Sequence, residues 1–274
     1  MDGPTVPCAI EQLESSLRDR MFWRFIKKIV DLYQRYLYHL PPYTLEELVV
    51  PGVEIEGINI EALTRNIEFF KIDLVNAVNH TENETFGDFQ VHLNQMRPRT
   101  DNFTYSIYVQ SEASKKMCFK VFIGPSCNPR QVPVRLSQHR LHMFHLDRFT
   151  YHLQEGNNTI VRNITDSPYF TSDDRMFSDT YRDILSAKAG NTTYKMETFD
   201  LNSTYAWPLR FALPLGTPDG FPYRFFVVAF QENVDEEEPR SLLYPFDRQI
   251  KNEKMFFKVP NFYSHVAPVY YKGY

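Results

Sequence analysis

Glycine is scarce, at 10 of 274 residues, and no apolar run approaches the roughly 20 residues a membrane-spanning helix needs. The longest clear run, Phe225 to Phe230, has the length of a buried strand. A net charge of −4 leaves no basic excess, which argues against phosphate-backbone binding and so against nucleic acid as a partner. Dinucleotide and nucleoside-triphosphate loops (GxGxxG, GxxxxGK followed by Ser or Thr), the GxSxG elbow and the HExxH helix are all missing, so catalysis has no recognised motif to rest on. Cysteine is also rare. Cys118 and Cys127, nine positions apart around Gly124-Pro125, could bridge in an oxidising compartment or could be small buried residues, with Cys8 left over.

Aromatic residues are abundant: 23 Phe, 17 Tyr and 2 Trp make 15% of the chain. With 43% hydrophobic and 23% charged residues the composition is that of a globular protein, long enough for one large domain or two average ones. Asn-x-Ser/Thr occurs at Asn79, Asn83, Asn102, Asn157, Asn163, Asn191 and Asn202. Chance placement of 16 Asn and 31 Ser plus Thr would give about two such sites, so the excess favours a secreted, glycosylated chain. Residues 1–10 have no apolar signal core, so secretion needs an upstream leader, and the chain is expected to be part of a longer precursor or a truncated gene model.

From Ile10 to Leu40 apolar residues recur at steps of three and four, predicting an amphipathic helix that Pro41-Pro42 stops. Beyond Pro51 the period becomes two. Half-buried strands are expected around Phe89–Leu93, Tyr105–Val109 and Met117–Ile123, with further strands at Phe144–Leu153, Thr159–Arg162, Leu209–Leu213 and Phe225–Phe230. The polar stretch Ser111–Lys116 suits a hairpin between two of them, Ser172–Lys188 a short helix, and Asp235–Glu238 a solvated loop. Six to eight such strands suggest an antiparallel sandwich. His139, His142 and His145, with Asp147 and His152 beyond, are spaced as a metal site would be on a helix. Here they straddle a loop entering a strand, where surface histidines are expected.

Several blocks resemble one family. Ser16-Leu17-Arg18-Asp19, Phe22-Trp23-Arg24, Leu40 to Leu48 (LPPYTLEEL) and Gly52-Val53-Glu54-Ile55 resemble the junction between the helical middle domain and the β domain of arthropod haemocyanins. Trp207-Pro208-Leu209-Arg210, Leu213 to Thr217 (LPLGT), Gly220 to Val227 (GFPYRFFV), Tyr244 to Arg248 (YPFDR) and Phe257 to Asn261 (FKVPN) resemble its closing strands. The chain is most similar to insect hexamerins, larval storage proteins that include the arylphorins.

The resemblance implies an immunoglobulin-like antiparallel β-sandwich over residues 46–274, preceded by a helical remnant of the middle domain over 1–45. In haemocyanins and phenoloxidases a copper-ligating His stands four residues after the aromatic matched by Phe22. Ile26 stands there in this chain, and an alkyl side chain cannot donate to copper. The resemblance therefore implies no enzyme activity, no cofactor and no metal. It implies a secreted, aromatic-rich amino-acid store in haemolymph, taken up into fat-body granules. Its partners would be hexamerin-type subunits, in a homo- or hetero-hexamer at full length, and a fat-body uptake receptor. The alternative is a hexamerin-derived fat-body protein that is itself the receptor, with a hexamerin as ligand.

Overall fold

The computed structural model describes residues 16, 19–74, 91–128, 130–135, 140–171, 176–194, 206–231 and 241–273. Cys8, Asn79, Asn83, Phe89, His139, Asn202 and the acidic run 235–238 lie outside the described residues. Helix α1 (Arg20–His39) starts where the Asp19 carboxylate accepts the Met21 amide at 2.6 Å, and ends before Pro41-Pro42. One turn, α2 (Leu45–Leu48), follows, closed by a reciprocal capping box between Thr44 and Glu47.

The strands are β1 (Val53–Ile60), β2 (Leu63–Asp73), β3 (His92–Thr100), β4 (Thr104–Ser111), β5 (Lys115–Pro125), β6 (Phe144–Leu153), β7 (Gly156–Asn163), β8 (Phe170–Thr171), β9 (Trp207–Pro208), β10 (Phe221–Phe230) and β11 (Phe262–Lys272). They form a three-stranded sheet β1-β4-β7, a six-stranded sheet β3-β2-β11-β10-β5-β6, and the short pair β8-β9. The two main sheets are antiparallel apart from the β11–β2 pairing, which is parallel. Helix α3 (Phe177–Lys188) lies in the excursion where a short helix is expected.

Alternation places the core. Val53, Ile55 and Ile58 of β1 and Tyr105, Ile107 and Val109 of β4 meet Met117, Phe119, Val121 and Ile123 of β5 and Phe225, Val227 and Ala229 of β10, sheet on sheet. The opposite face of the large sheet is covered as well. Cys118, Phe122, Phe226, Val228 and Phe230 pack under Leu48, Tyr244, Phe246 and Val259, with Phe256 of α4 (Glu253–Phe256). Strands β5 and β10 are therefore buried on both faces, which is why Phe225–Phe230 reads as an unbroken apolar run.

Four expectations change. The Ser111–Lys116 stretch is no hairpin, because β4 pairs with β1 and β7 while β5 pairs with β10 and β6, so the segment crosses between sheets. Leu209–Leu213 is a 3-10 turn over Leu209–Phe211 rather than a strand, confined between Pro208 and Pro214. Of the expected Phe89–Leu93 strand only residues 91–93 are described, and Leu93 is about half exposed rather than turned to a core, since β3 is an edge strand of the six-stranded sheet. β5 is not half-buried, since Lys120 lies on its second face and has no exposed surface.

Candidate functional site

The sequence blocks that carry the resemblance converge in space on closures of the fold. Arg248 reaches back some two hundred residues to donate to Glu47 at 2.8 Å and to the Pro41 carbonyl at 2.7 Å, and its guanidinium lies 4.3 Å from the Tyr43 ring centre. The Tyr43 hydroxyl donates to Asp247 at 2.7 Å. Burial, and then this bond to an anionic acceptor, raises the Tyr43 pKa, so it stays a phenol. The Thr44 backbone amide, aided by Arg248, holds Glu47 below the usual carboxylate range. LPPYTLEEL and YPFDR are thus two halves of one clasp.

The other blocks close neighbouring seams. Asn261, with no exposed surface, donates to the carbonyls of Leu48 (2.9 Å) and Ala229 (2.7 Å) and accepts the Val50 amide at 3.0 Å. In LPLGT, a Cβ on Gly216 would come within 2.1 Å of the Val269 carbonyl oxygen, so only glycine lets this segment lie against β11. A buried triad ties the two sheets. Asp147 of β6 takes the Tyr105 hydroxyl at 2.5 Å and Arg162 Nε at 3.1 Å, and Arg162 stacks 4.4 Å from the Phe149 ring centre. Tyr105 and Arg162 belong to the small sheet and Asp147 to the large one.

Among the described residues the histidines of the expected cluster do not gather. His142 is exposed in a 3-10 turn and His152 is exposed on β6, whereas His145, expected at the surface, is buried. Its ring stacks on Phe122 at 4.5 Å and 14° and packs against Tyr169. Burial, with Lys120 and Arg148 nearby, pushes its pKa down to about 3, so it is a neutral core aromatic. Among the described residues no group of three His, Cys, Asp or Glu is placed to hold a metal ion. Ile26 is half-buried on α1.

Cys118 and Cys127 are both buried and are not bridged to each other. The bridge expected as one possibility does not form, because Gly124-Pro125 is not a turn but the end of β5. At ~3.3 Å per residue the strand carries Cys118 some 20 Å away, against a Cα separation of at most about 7 Å for a disulfide.

Four sequons are described. Asn102 is exposed in the β3–β4 turn, and Asn191 is exposed behind α3, where Gly190 at φ +80° closes the helix with two backbone bonds. On β7, Asn157 and Asn163 share the outward parity with Thr159 and Val161, opposite the buried Asn158 and Ile160. Both Asn157 and Asn163 therefore project from the solvent face of the small sheet.

Of α1, Leu37 is buried, while Phe25, Ile29, Leu32 and Tyr36 are 49–69% exposed. No helix among the described residues is long and apolar enough to cross a membrane.

Comparison with known proteins agrees with this architecture. The profile of the haemocyanin Ig-like domain matches residues 42–271. Arylphorin of Antheraea pernyi is 28% identical over 98% of this chain and 38% of its own length, and hexamerin of Blaberus discoidalis 30% identical over 100% and 40%. The chain spans about two fifths of the length of these curated relatives. Among solved structures, scorpion haemocyanin in its activated state superposes with a TM-score of 0.79 at 26% identity, covering 97% of this chain and 46% of that one. A crustacean haemolymph-type prophenoloxidase superposes with 0.78 at 18% identity, covering 97% and 40%, a likeness of fold alone.

Proposed function

This chain belongs to the family of the haemocyanin Ig-like domain, and from that premise we propose that it is the C-terminal part of a secreted, aromatic-rich amino-acid storage protein of the hexamerin type. The observation that carries the reading is the near-complete alignment of the chain with arylphorins and hexamerins, joined to an aromatic content of 15%. The core supports it: many of the Phe and Tyr residues pack ring against ring, as Phe226 does with Phe246, Phe256 and Phe262, which is a dense way to hold them in soluble form.

The conspicuous polar clusters, Tyr43–Asp247–Arg248 and Tyr105–Asp147–Arg162, hold the fold together. In both, the tyrosine hydroxyl and the carboxylate are spent on hydrogen bonds between elements of the fold, which favours a structural role for them. Ile26 in place of a ligand histidine favours a chain without copper or oxygen binding. The exposed apolar face of α1 suits packing against further helices of the same full-length polypeptide, and the assembled partners would be hexamerin-type subunits.

Storage is tested by quantitative immunoblotting of haemolymph through the larval–pupal transition. The protein is expected to accumulate during feeding and to be depleted afterwards, and a constant level contradicts the reading. Material from the same source is expected to hold no stoichiometric copper after dialysis and to leave catechols unoxidised. One retained equivalent of copper with catechol oxidation would instead place it among the enzymes of the superfamily.

A further inference from the structure

A cavity of about 260 Å³ opens at the margin of the second core, lined by Arg224, Phe226, Phe257, Phe262, Tyr263 and Ser264. Its construction follows from strand parity. Arg224 lies on the same face of β10 as Phe226, and Ser264 lies opposite Phe226 on β11. The Arg224 guanidinium donates to the Ser264 hydroxyl at 3.1 Å and stands 5.7 Å from the Phe257 ring centre. Among the described residues no carboxylate lies within salt-bridge reach of it, whereas Arg97, Arg99, Arg162, Arg182 and Arg248 each have one.

The remaining wall is apolar and held in place. Phe226 and Phe262 are almost fully buried and pack together with rings 5.8 Å apart, and Phe257, 42% exposed, forms the rim against Phe226 and Phe256. A half-buried cation with no counter-ion among the described residues, one hydroxyl, and the exposed Phe257 ring, backed by the buried Phe226 and Phe262, form a site for one molecule with an acid at one end and a ring at the other. Guanidinium recognises carboxylate through a planar two-point contact. The volume is below the 300–1,000 Å³ usual for drug-sized ligands, which limits the guest to a single ring on a short acid arm. Burial lowers the Arg224 pKa.

We propose that this pocket binds small aromatic monocarboxylates, the carboxylate on Arg224 and Ser264 and the ring against the exposed Phe257. The inference does not depend on the storage reading.

The test titrates phenylacetate, 2-phenylethanol and acetate into the 274-residue chain by calorimetry. Phenylacetate is expected to saturate one site, and the uncharged alcohol and the ringless acid to bind at least tenfold more weakly. Arg224→Gln is expected to weaken phenylacetate at least tenfold with an unchanged circular dichroism spectrum. Phe257→Ala, at the exposed rim, is expected to weaken it several-fold and serves as the deciding variant should Arg224→Gln fail to fold. Absence of saturable phenylacetate binding, equal binding of 2-phenylethanol, or an affinity unaffected by the variant that folds would each overturn the proposal.

Discussion

Asp147 is a carboxylate with no exposed surface, and its two partners reach it from the opposite sheet. Taking away one member of a buried, hydrogen-bonded pair leaves the other charge desolvated, at about 3–5 kcal/mol. Asp147→Ala is therefore expected to destabilise the chain by about that amount in urea unfolding, and a loss below about 1 kcal/mol would show that the triad does not couple the sheets. His145 makes a prediction about pH. Its folded pKa of about 3 lies below the unfolded value of about 6.5, so above pH 6.5 the residue is neutral in both states and contributes no pH dependence. Between pH 6.5 and 3 the unfolded chain takes up a proton that the folded chain refuses, and stability falls with a slope of about 1.4 kcal/mol per unit. In unfolding titrations at pH 6, 5 and 4, His145→Phe is expected to remove that one-proton slope; an unchanged slope would mean His145 protonates in place.

The elements meet at a seam whose position the clasp defines. Helix α1 contributes Leu37 to the buried set, but Leu48 and Val50 are buried and Tyr43 is bonded to Asp247. A chain beginning at residue 40 is accordingly expected to fold and to associate less, because the exposed stripe of Phe25, Ile29, Leu32 and Tyr36 is gone. A chain beginning at residue 51 loses the Leu48 side chain from the second core and two of the three bonds of Asn261, and is expected to be destabilised by at least about 3 kcal/mol. Light scattering and thermal melts on the two chains read both outcomes. Equal stability would show the clasp to be dispensable, and unfolding of the longer chain would make α1 part of the β core.

At the scale of the molecule, glycans on Asn157 and Asn163 would leave from the outward face of β7, an edge strand, on either side of the 61% exposed Val161. Bulky glycans there would shield that edge from pairing with another chain. Endoglycosidase treatment of protein from a secreting source is expected to lower its mass in several steps. Replacing Asn157 and Asn163 with Gln is expected to remove two of those steps, and no mass shift on the native protein would contradict secretion.

The sequence alone determined the family and several of the elements, but not β2 or β11, nor the 3-10 turn at Leu209–Phe211. Periodicity of two marked Tyr105–Val109 because one face of the strand meets a core, and the YPFDR and LPPYTLEEL blocks identified the fold because their side chains close it. In β1 the alternation holds for Val53 and Ile55 around exposed Glu54 and then slips at a bulge between Ile55 and Gly57, so that Ile58 is buried out of phase. What local pattern could not carry was pairing. Whether Ser111–Lys116 turns a hairpin or crosses between sheets depends on partners far along the chain, and a second layer over β5 and β10 removes the alternation that would have shown their faces. For the same reason the burial of His145 between Phe122 and Tyr169 and the pocket beside Arg224 were decided only when separate strands packed together, whereas the separation of Cys118 from Cys127 followed from the extended course of β5.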